Sequence, residues 1–582
     1  MSFDKNNDFY YCCANSFLHD FKMNQFTNTM KNLLHTLIIL LCIVFSPKAQ
    51  ALDYYWVGGS GNWSDINHWS AVSGNTPMQL HTITPTSNDN IILDSLSFPS
   101  TGGTININLN IAFCKNLIVR DLPSNVNIQF YGGSDVLRIF GDILISDTIG
   151  WTGNGKIMLE GTGTRIIQTS GLALPNLYLN SIGTTWLVSD SLRVGDFYAE
   201  NGTLDLQGNL FHCDEIEVLN FSALKLDSAE VQVKNKYFVD VNTTLDCHMA
   251  DIVIYGVPLT HPNYNIPFFK DLSNTWHKYN SVSILESTGD IYNENHFYGH
   301  DSCLINRLHF YQDAEIQGTL TADTLVLDSS STMRIETNSN LTFKHIVAHG
   351  NCAKMVEIQA LGLGSKAVIN HVSNLDTANF VRIRDINVLG TPWHVNHFEN
   401  VNNSSTGITG QPQNSGQKYY WIQGSGNWED ANHWSITEGG APAGCIPGAM
   451  DTIIISDSSS TNVLTITMPD NDVNISSLFV SLDSSMAMVG ANRPIILDGT
   501  LDLDSNVELG AFRPIRFTGT DSSYYIKTSS NRLGIVTFMS DGLWTVTDDL
   551  TATRIHHIDG TLDITGRTID CIHEFEDVRS DD

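Results

Sequence analysis

The residues of this chain that could bind a ligand lie in a block that occurs twice. Residues 53–77 read DYYWVGGSGNWSDINHWSAVSGNTP, and residues 418–442 read KYYWIQGSGNWEDANHWSITEGGAP. Each block contains an Asp-x-x-His pair, and both side chains can ligate a metal ion. Each also contains three tryptophans, whose indole faces can stack on the apolar face of a sugar. These tryptophans are Trp56, Trp63 and Trp69 in the first block and Trp421, Trp428 and Trp434 in the second.

A structural role is the alternative explanation of the same block. A block that recurs within a repeat protein is more often part of the architecture than a binding site. In that case the tryptophans fill the open end of an apolar core, and Asp65 and His68 hydrogen-bond backbone groups, as do Asp430 and His433 in the second copy. We expect this packed cap, with glycan binding by the six tryptophans as the alternative.

Other patterns that could carry chemistry are weaker. The alternating acids Asp502 and Asp504 could hold Ca²⁺ on a sheet face, but no EF-hand loop or nonapeptide calcium repeat accompanies them. The tetrapeptides Arg382-Ile383-Arg384-Asp385 and Tyr298-Gly299-His300-Asp301 resemble fragments of polygalacturonases, but the accompanying Asp pairs and Gly-His-Gly are missing. No Gly-x-Ser-x-Gly elbow supports a serine hydrolase. We therefore expect no catalytic activity and no cofactor.

The cysteines do not form a recognisable metal or redox motif. Those beyond residue 51 contain no Cys-x-x-Cys pair, which argues against a zinc site or a thioredoxin-like centre. We expect most of them to be buried as small apolar side chains, with one disulfide left open as an alternative. They are Cys114, Cys213, Cys247, Cys303, Cys352, Cys445 and Cys571.

The amino terminus contains the parts of a secretory signal peptide. Met30-Lys31-Asn32 precedes the apolar run from Leu33 to Phe45, and Ala49-Gln50-Ala51 forms a cleavage site. The run is shorter than the roughly 20 residues of a membrane-spanning helix. We predict that 30–51 is a signal peptide, with an uncleaved membrane anchor as the alternative. Residues 1–29 do not fit this pattern, and we predict that they are a non-native extension.

Composition narrows the class of partner. The 582 residues carry a formal net charge of −31, and an acidic surface repels the phosphates of nucleic acids. Hydrophobic residues make up 42% of the chain, enough for an apolar core. Charged residues make up only 16%, and Asn, Ser, Thr, Gly and Asp, which favour turns, are abundant.

The internal repeat extends well beyond the tryptophan block. Residues 184–213 match 542–571, with Trp186 opposite Trp544 and Gly202 opposite Gly560. This alignment predicts three parts of the chain: a first unit at 52–401, a linker at 402–417 and a second unit at 418–582. The second unit lacks counterparts of roughly 225–415, so we describe it as truncated.

The local pattern within each unit predicts β-strands. Runs such as Thr203-Leu204-Asp205-Leu206 and Leu501-Asp502-Leu503-Asp504 alternate apolar and polar residues, as half-buried strands do. Glycine and asparagine separate many short runs, and no convincing amphipathic helix follows the signal. A β-sandwich and a β-barrel are alternatives. The unbroken series of runs favours a β-solenoid, in which stacked coils share one core.

The block Trp-x-Gly-Gly-x-Gly-Asn-Trp-Ser-Asp-x-x-His-Trp-Ser at Trp56–Ser70 resembles the opening module of secreted β-strand-repeat proteins from bacteria with type IX secretion. Further segments follow in that family's order: Asn306 to Phe310, Leu341-Thr342-Phe343, Ala348 to Cys352 and Trp393 to Asn403. A departure occurs at Gly407, which is followed by Ile408 where the family usually has tryptophan. The resemblance implies a right-handed parallel β-helix, export and a surface or extracellular location, without established catalytic residues.

These observations predict an all-β chain with two tandem β-helix units, the second incomplete. We expect a secreted or cell-surface structural, adhesin-like protein. Its expected partners are an extracellular polysaccharide or a neighbouring cell surface, with no nucleic acid and no small-molecule cofactor. The alternatives are a carbohydrate-binding protein that uses the tryptophan blocks and a polysaccharide lyase or hydrolase of the pectin-lyase type.

Overall fold

The computed structural model describes residues 51–577, except 256–267, 286–294, 301–302, 330, 353, 363–364, 374–375, 377, 402–403, 413–415, 461 and 522. The predicted extension 1–29 and all of the predicted signal peptide except its last residue lie outside the described residues. Regular structure is almost entirely β-strand, with short 3-10 turns such as Ile66–His68, Ser73–Asn75 and Ala431–His433.

The strands up to residue 239 are β1 (Asp53–Trp56), β2 (Gly61–Asn62), β3 (Trp69–Ser70), β4 (Asn90–Leu93), β5 (Gly103–Ile107), β6 (Ile111–Cys114), β7 (Leu117–Val119), β8 (Val126–Phe130), β9 (Val136–Ile139), β10 (Ile143–Ile145), β11 (Gly150–Thr152), β12 (Lys156–Leu159), β13 (Gly163–Gln168), β14 (Asn176–Val188), β15 (Leu192–Arg193), β16 (Asp196–Asp205), β17 (Phe211–Lys225) and β18 (Glu230–Val239).

The strands from residue 244 to residue 412 are β19 (Thr244–Asp246), β20 (Asp251–Ile254), β21 (Phe268–Asp271), β22 (His277–Ile284), β23 (Asn295–Gly299), β24 (Cys303–Phe310), β25 (Ala314–Leu327), β26 (Thr332–Ile335), β27 (Asn340–His349), β28 (Val356–Ala360), β29 (Ala367–His371), β30 (Ala378–Arg384), β31 (Ile386–Gly390), β32 (Trp393–Asn400) and β33 (Ile408–Pro412).

The remaining strands are β34 (Lys418–Trp421), β35 (Gly426–Asn427), β36 (Trp434–Ser435), β37 (Thr452–Ser456), β38 (Leu464–Met468), β39 (Val473–Ile475), β40 (Ser477–Ser481), β41 (Met486–Gly490), β42 (Ile495–Leu497), β43 (Leu501–Leu503), β44 (Val507–Glu508), β45 (Pro514–Phe517), β46 (Tyr524–Lys527), β47 (Arg532–Val546), β48 (Leu550–Asp563) and β49 (Ile569–Asp577).

Successive coils pair side by side in parallel. β16 pairs with β14 on one edge and β17 on the other, so Phe197 lies level with Leu177 and Ile216. One turn takes about 21 residues, which identifies a β-solenoid and confirms the predicted fold class. Among the ladders between described strands, only β1–β3 and β34–β36 are antiparallel. The right-handed winding implied by the resemblance and the layout in two tandem units stay predictions.

The alternating sequence explains which side chains enter the core. In β18 every second residue is buried, from Val231 to Val239, while the residues between them are partly exposed. Each aliphatic side chain buried in this way contributes roughly 1.5–3 kcal/mol to folding. At the matched corners, Gly202 and Gly560 have φ of 101° and 84°, and an added Cβ at either would collide with a carbonyl oxygen of the neighbouring coil. Glycine is therefore required at both corners.

The buried apolar side chains form two clusters, one from Tyr54 to Val395 and the other from Tyr419 to Ile555. The segment 402–417, predicted as a linker, contributes β33, which pairs in parallel with β32. A disulfide joins Cys352 to Cys445, 93 residues apart. The single disulfide left open by the sequence is therefore present, and four of the other cysteines are buried and unbridged as expected: Cys114, Cys213, Cys247 and Cys303.

Candidate functional site

The first tryptophan block forms the outermost layer of the first core. β1 pairs in parallel with β4 and antiparallel with β3, so both edges of β1 are covered. The Trp63 and Trp69 rings meet edge to face with centroids 4.9 Å apart, and Trp56 meets Trp69 at the same distance. Trp56 Nε1 donates to Gly59 O at 2.7 Å, and Trp69 Nε1 donates to Trp63 O at 2.9 Å. The block therefore closes the solenoid end with a bonded aromatic cluster.

Asp65 and His68 stabilise this block rather than converge on a ligand. Asp65 accepts the Asn67 N–H at 3.0 Å, which begins the turn Ile66–His68, and this bond lowers the pKa of Asp65. His68 Nδ1 donates to Val57 O at 2.7 Å, and its ring stacks on Trp56 with centroids 4.6 Å apart. Both polar groups therefore satisfy local backbone, as the structural interpretation expects.

The second block repeats this geometry almost atom for atom. Trp421 Nε1 donates to Gly424 O and Trp434 Nε1 donates to Trp428 O, both at 2.7 Å. The His433 ring stacks on Trp421 with centroids 4.8 Å apart, and His433 Nδ1 donates to Ile422 O at 2.8 Å. The duplicated sequence therefore encodes one duplicated packing arrangement.

The structure corrects the carbohydrate-binding alternative. Each of the six indoles is at most 3% exposed, so no ring face is open for stacking on a sugar. The six residues are Trp56, Trp63, Trp69, Trp421, Trp428 and Trp434. Opening one of them would break the core contacts that hold the cap. The tryptophan blocks are packing elements of the fold.

The residues considered for enzymatic or calcium chemistry are engaged in other contacts. The Arg382 side chain is 13% exposed and lies between two carboxylates, donating through Nε to Glu399 Oε2 at 2.8 Å and through Nη1 to Glu357. Burial alone lowers the pKa of Arg382, but Glu399 and Glu357 raise it above its ordinary value. Arg384 is also buried and donates to Asn474 Oδ1 at 3.2 Å. Both arginines therefore hold neighbouring segments of the chain together through hydrogen bonds. Asp301 of the other tetrapeptide lies outside the described residues.

The Asp502 carboxylate is likewise occupied by neighbours. It accepts from Tyr525 Oη at 2.8 Å and from Lys527 Nζ at 3.1 Å. The hydrogen bond to Asp502 raises the pKa of Lys527. Asp502 is therefore engaged in an ion pair on a sheet face.

A polar cluster that the sequence interpretation missed lies inside the first core. Asp271 and His277 are buried, with His277 Nε2 2.5 Å from Asp271 Oδ2. Tyr279 Oη donates to the same carboxylate oxygen at 2.9 Å and lies 2.9 Å from Tyr237 Oη. Cys303 completes the cluster, and one donor atom each from Asp271, His277 and Cys303 lies within 4.8 Å of the others. Among the described residues, this is the one group with the composition and spacing of a metal site.

A surface groove of about 340 Å³ borders this cluster at His277. Trp276 stands in it with 74% of its surface exposed, next to Met249 at 42% exposed. The remaining lining residues are Asp246, Cys247, His248, His277, Lys278 and Leu304. Trp276, an exposed aromatic side chain beside this polar cluster, lies outside both tryptophan blocks.

Comparison with protein-family profiles, with curated proteins and with solved structures finds no match to this chain. Within the part of the chain that the structure describes, no helix has the length and apolar character needed to cross a membrane.

Proposed function

We propose that the chain is a secreted or cell-surface structural, adhesin-like repeat protein without catalytic activity. The observation that carries this proposal is the internal use of both tryptophan blocks. The tryptophans of the two blocks are the most chemically distinctive residues of the sequence, and they close the ends of apolar cores. The burial of Trp63 and Trp428 indicates this. A solenoid of this kind has a long, stiff outer surface. Its function depends on how far that surface extends and on the area that it offers for contact with a partner.

The disulfide supports the part of this proposal that concerns export. Cys352 and Cys445 are bridged with their Cα atoms 5.1 Å apart. Such bonds form and persist in oxidising compartments and are rare where glutathione keeps thiols reduced. This agrees with the signal peptide predicted at 30–51.

The partner that we propose is an extracellular polysaccharide or a neighbouring cell surface. The formal net charge of −31 disfavours anionic partners, including nucleic acids. A neutral or cationic glycan, or the surface of another cell, is compatible with this charge. Contact would be made by the outer faces of the coils, because the cap tryptophans are closed to ligands.

The test is to produce the full-length chain in a bacterium with type IX secretion and to measure its location and its effect on attachment. The matched control is Leu40→Arg, which interrupts the predicted apolar run and should retain the chain inside the cell. We expect protease added to intact cells to degrade the wild-type chain but not the control. We also expect attachment to polysaccharide-coated surfaces to increase only with the wild-type chain.

Two results would overturn the proposal. One is a chain that remains protected inside the cell with Cys352 and Cys445 reduced. The other is the release of reducing or unsaturated sugar ends from uronic-acid polymers by the purified chain, which would establish the lyase or hydrolase alternative.

A further inference from the structure

Stacking of the coils brings three side chains of metal-ligand type to one point in the core. Asp271 is the last residue of β21, and His277 is the first residue of β22 in the same turn. Cys303 is the first residue of β24 in the next turn, where it is the direct Cα partner of His277. Since parallel strands lie about 4.8 Å apart, partners that both point inward meet side by side.

We propose that Asp271, His277 and Cys303 form a binding site for a zinc-class divalent cation that ties adjacent coils together. Carboxylate oxygen, imidazole nitrogen and thiolate sulfur are the ligands that zinc uses in proteins. The three donor atoms lie within 4.8 Å of one another. Ligands at about 2.0–2.3 Å from zinc stand roughly 3–4 Å apart in a tetrahedron, so small side-chain rotations complete the site.

The neighbouring hydrogen bonds have the arrangement that orients metal ligands. His277 Nδ1 donates to the Thr275 carbonyl at 2.6 Å, which fixes the ring and turns Nε2 towards Asp271. Tyr279 Oη donates to Asp271 Oδ2 at 2.9 Å and thereby holds the carboxylate in place. A backbone carbonyl behind a ligating histidine and a donor behind a ligating carboxylate are the usual outer partners of zinc sites.

Charge balance favours a dication at this position. The side chains of Asp271 and His277 are 0% and 1% exposed, and an uncompensated charge in such a place is costly. One carboxylate and one thiolate neutralise a dication, so the occupied site has no net charge. A hydrogen-bonded cluster without metal would account for Asp271 and His277, with Cys303 as a buried apolar neighbour. The zinc site differs from it in using the Cys303 thiolate as a ligand.

The groove that borders the cluster at His277 is the route by which we expect a metal ion to arrive from solvent. The buried His277 and Cys247 line this groove together with the exposed Trp276 and Met249. We expect a water molecule to complete the coordination of a cation held by these three side chains. We expect an ion to enter by this route, and a chelator to remove it without global unfolding.

The test measures metal binding by the purified full chain after treatment with a chelator. Zinc is added back and quantified by mass spectrometry of the metal, and cobalt is added separately as a spectroscopic probe. We expect one zinc ion per chain, a rise in melting temperature with zinc, and a thiolate-to-cobalt charge-transfer absorption. Hydrogen exchange of the peptides that contain β21, β22 and β24 should slow when zinc binds.

Two variants and one matched control assign the signal to this site. Cys303→Ser is nearly isosteric and should abolish the charge-transfer band and weaken zinc binding by about tenfold or more. Tyr279→Phe keeps all three ligands and should weaken binding by about tenfold through the lost support of Asp271. The control Cys213→Ser removes a buried thiol from β17 in another coil and should leave both measurements unchanged.

Three results would overturn the proposal. The first is the absence of stoichiometric zinc and of a charge-transfer band in the wild-type chain. The second is binding by Cys303→Ser equal to that of Cys213→Ser. The third is a disulfide between Cys247 and Cys303 in the native chain, found by peptide mapping, because it would consume the thiolate ligand.

Discussion

Truncation of a cap tryptophan is the most direct test of the structural role of the repeated block. Trp63 is 1% exposed, and its Nε1 has no hydrogen-bond partner among the described residues, so Trp63→Ala removes packing alone. A buried aromatic side chain covers roughly 150–250 Å², which corresponds to about 4–6 kcal/mol at roughly 25 cal/mol per Å². Because the site relaxes only partly, we expect a loss of about 3–5 kcal/mol in the free energy of unfolding.

The second tryptophan block allows the same substitution to be tested at an equivalent position. Trp428→Ala removes the equivalent ring, which is 3% exposed, and should cost about as much. The matched control is Trp276→Ala, because 74% of the Trp276 surface is already in water. A surface substitution of this kind should change stability by no more than about 0.5 kcal/mol.

A solenoid of many coils need not unfold in one step, so the assay must be local. Hydrogen exchange measured by mass spectrometry should show faster exchange over 53–77 for Trp63→Ala and over 418–442 for Trp428→Ala. Urea denaturation gives the accompanying loss of stability. The cap interpretation is refuted if Trp63→Ala behaves like Trp276→Ala, or if it loses glycan retention with unchanged exchange and unchanged stability.

Three further predictions follow from particular contacts. In Gly61→Ala the new Cβ would overlap the His68 ring, and we expect a loss of about 1–3 kcal/mol in urea denaturation, whereas Gly133→Ala has room and should cost less. Cys352→Ser should lower stability by about 2–4 kcal/mol and remove the response of denaturation to dithiothreitol. Burial raises the pKa of Asp451 to about 6, so its neutral form contributes roughly 2–3 kcal/mol of stability below about pH 4. This contribution is lost as pH rises through about 6, and Asp451→Asn should flatten the dependence of the urea midpoint on pH in that range.

Each of these predictions has a contrary result. Equal losses for Gly61→Ala and Gly133→Ala would mean that the His68 ring moves aside freely. An unchanged dithiothreitol response in Cys352→Ser would place the sensitive bond elsewhere. A pH profile of Asp451→Asn identical to that of the wild-type chain would show that other carboxyl groups cause the slope.

The sequence alone determined the class of the fold, and it left a packed cap and glycan binding open as roles of the tryptophan block. The alternation of apolar and polar residues, as at Leu501 to Asp504, decides which side chains of a strand are buried. This alternation is a local property of the strand. The repeat of Trp, Gly, Asp and His predicted a packed cap, and the burial of Trp56 and Trp421 agrees with it. The glycan-binding alternative came from the same residues, because residue type alone does not show whether a ring faces the core or the solvent.

Only the tertiary structure decided which residues meet across coils. Ile216 and its partner Tyr237 are 21 residues apart, whereas His277 and its partner Cys303 are 26 apart. Coil length therefore varies, and a shift of one residue turns a side chain from the core to the surface. For this reason neither the cluster around Asp271 nor the bridge from Cys352 could be read from sequence spacing. Composition and period fix what is buried, but the lengths of the turns fix which buried groups are neighbours.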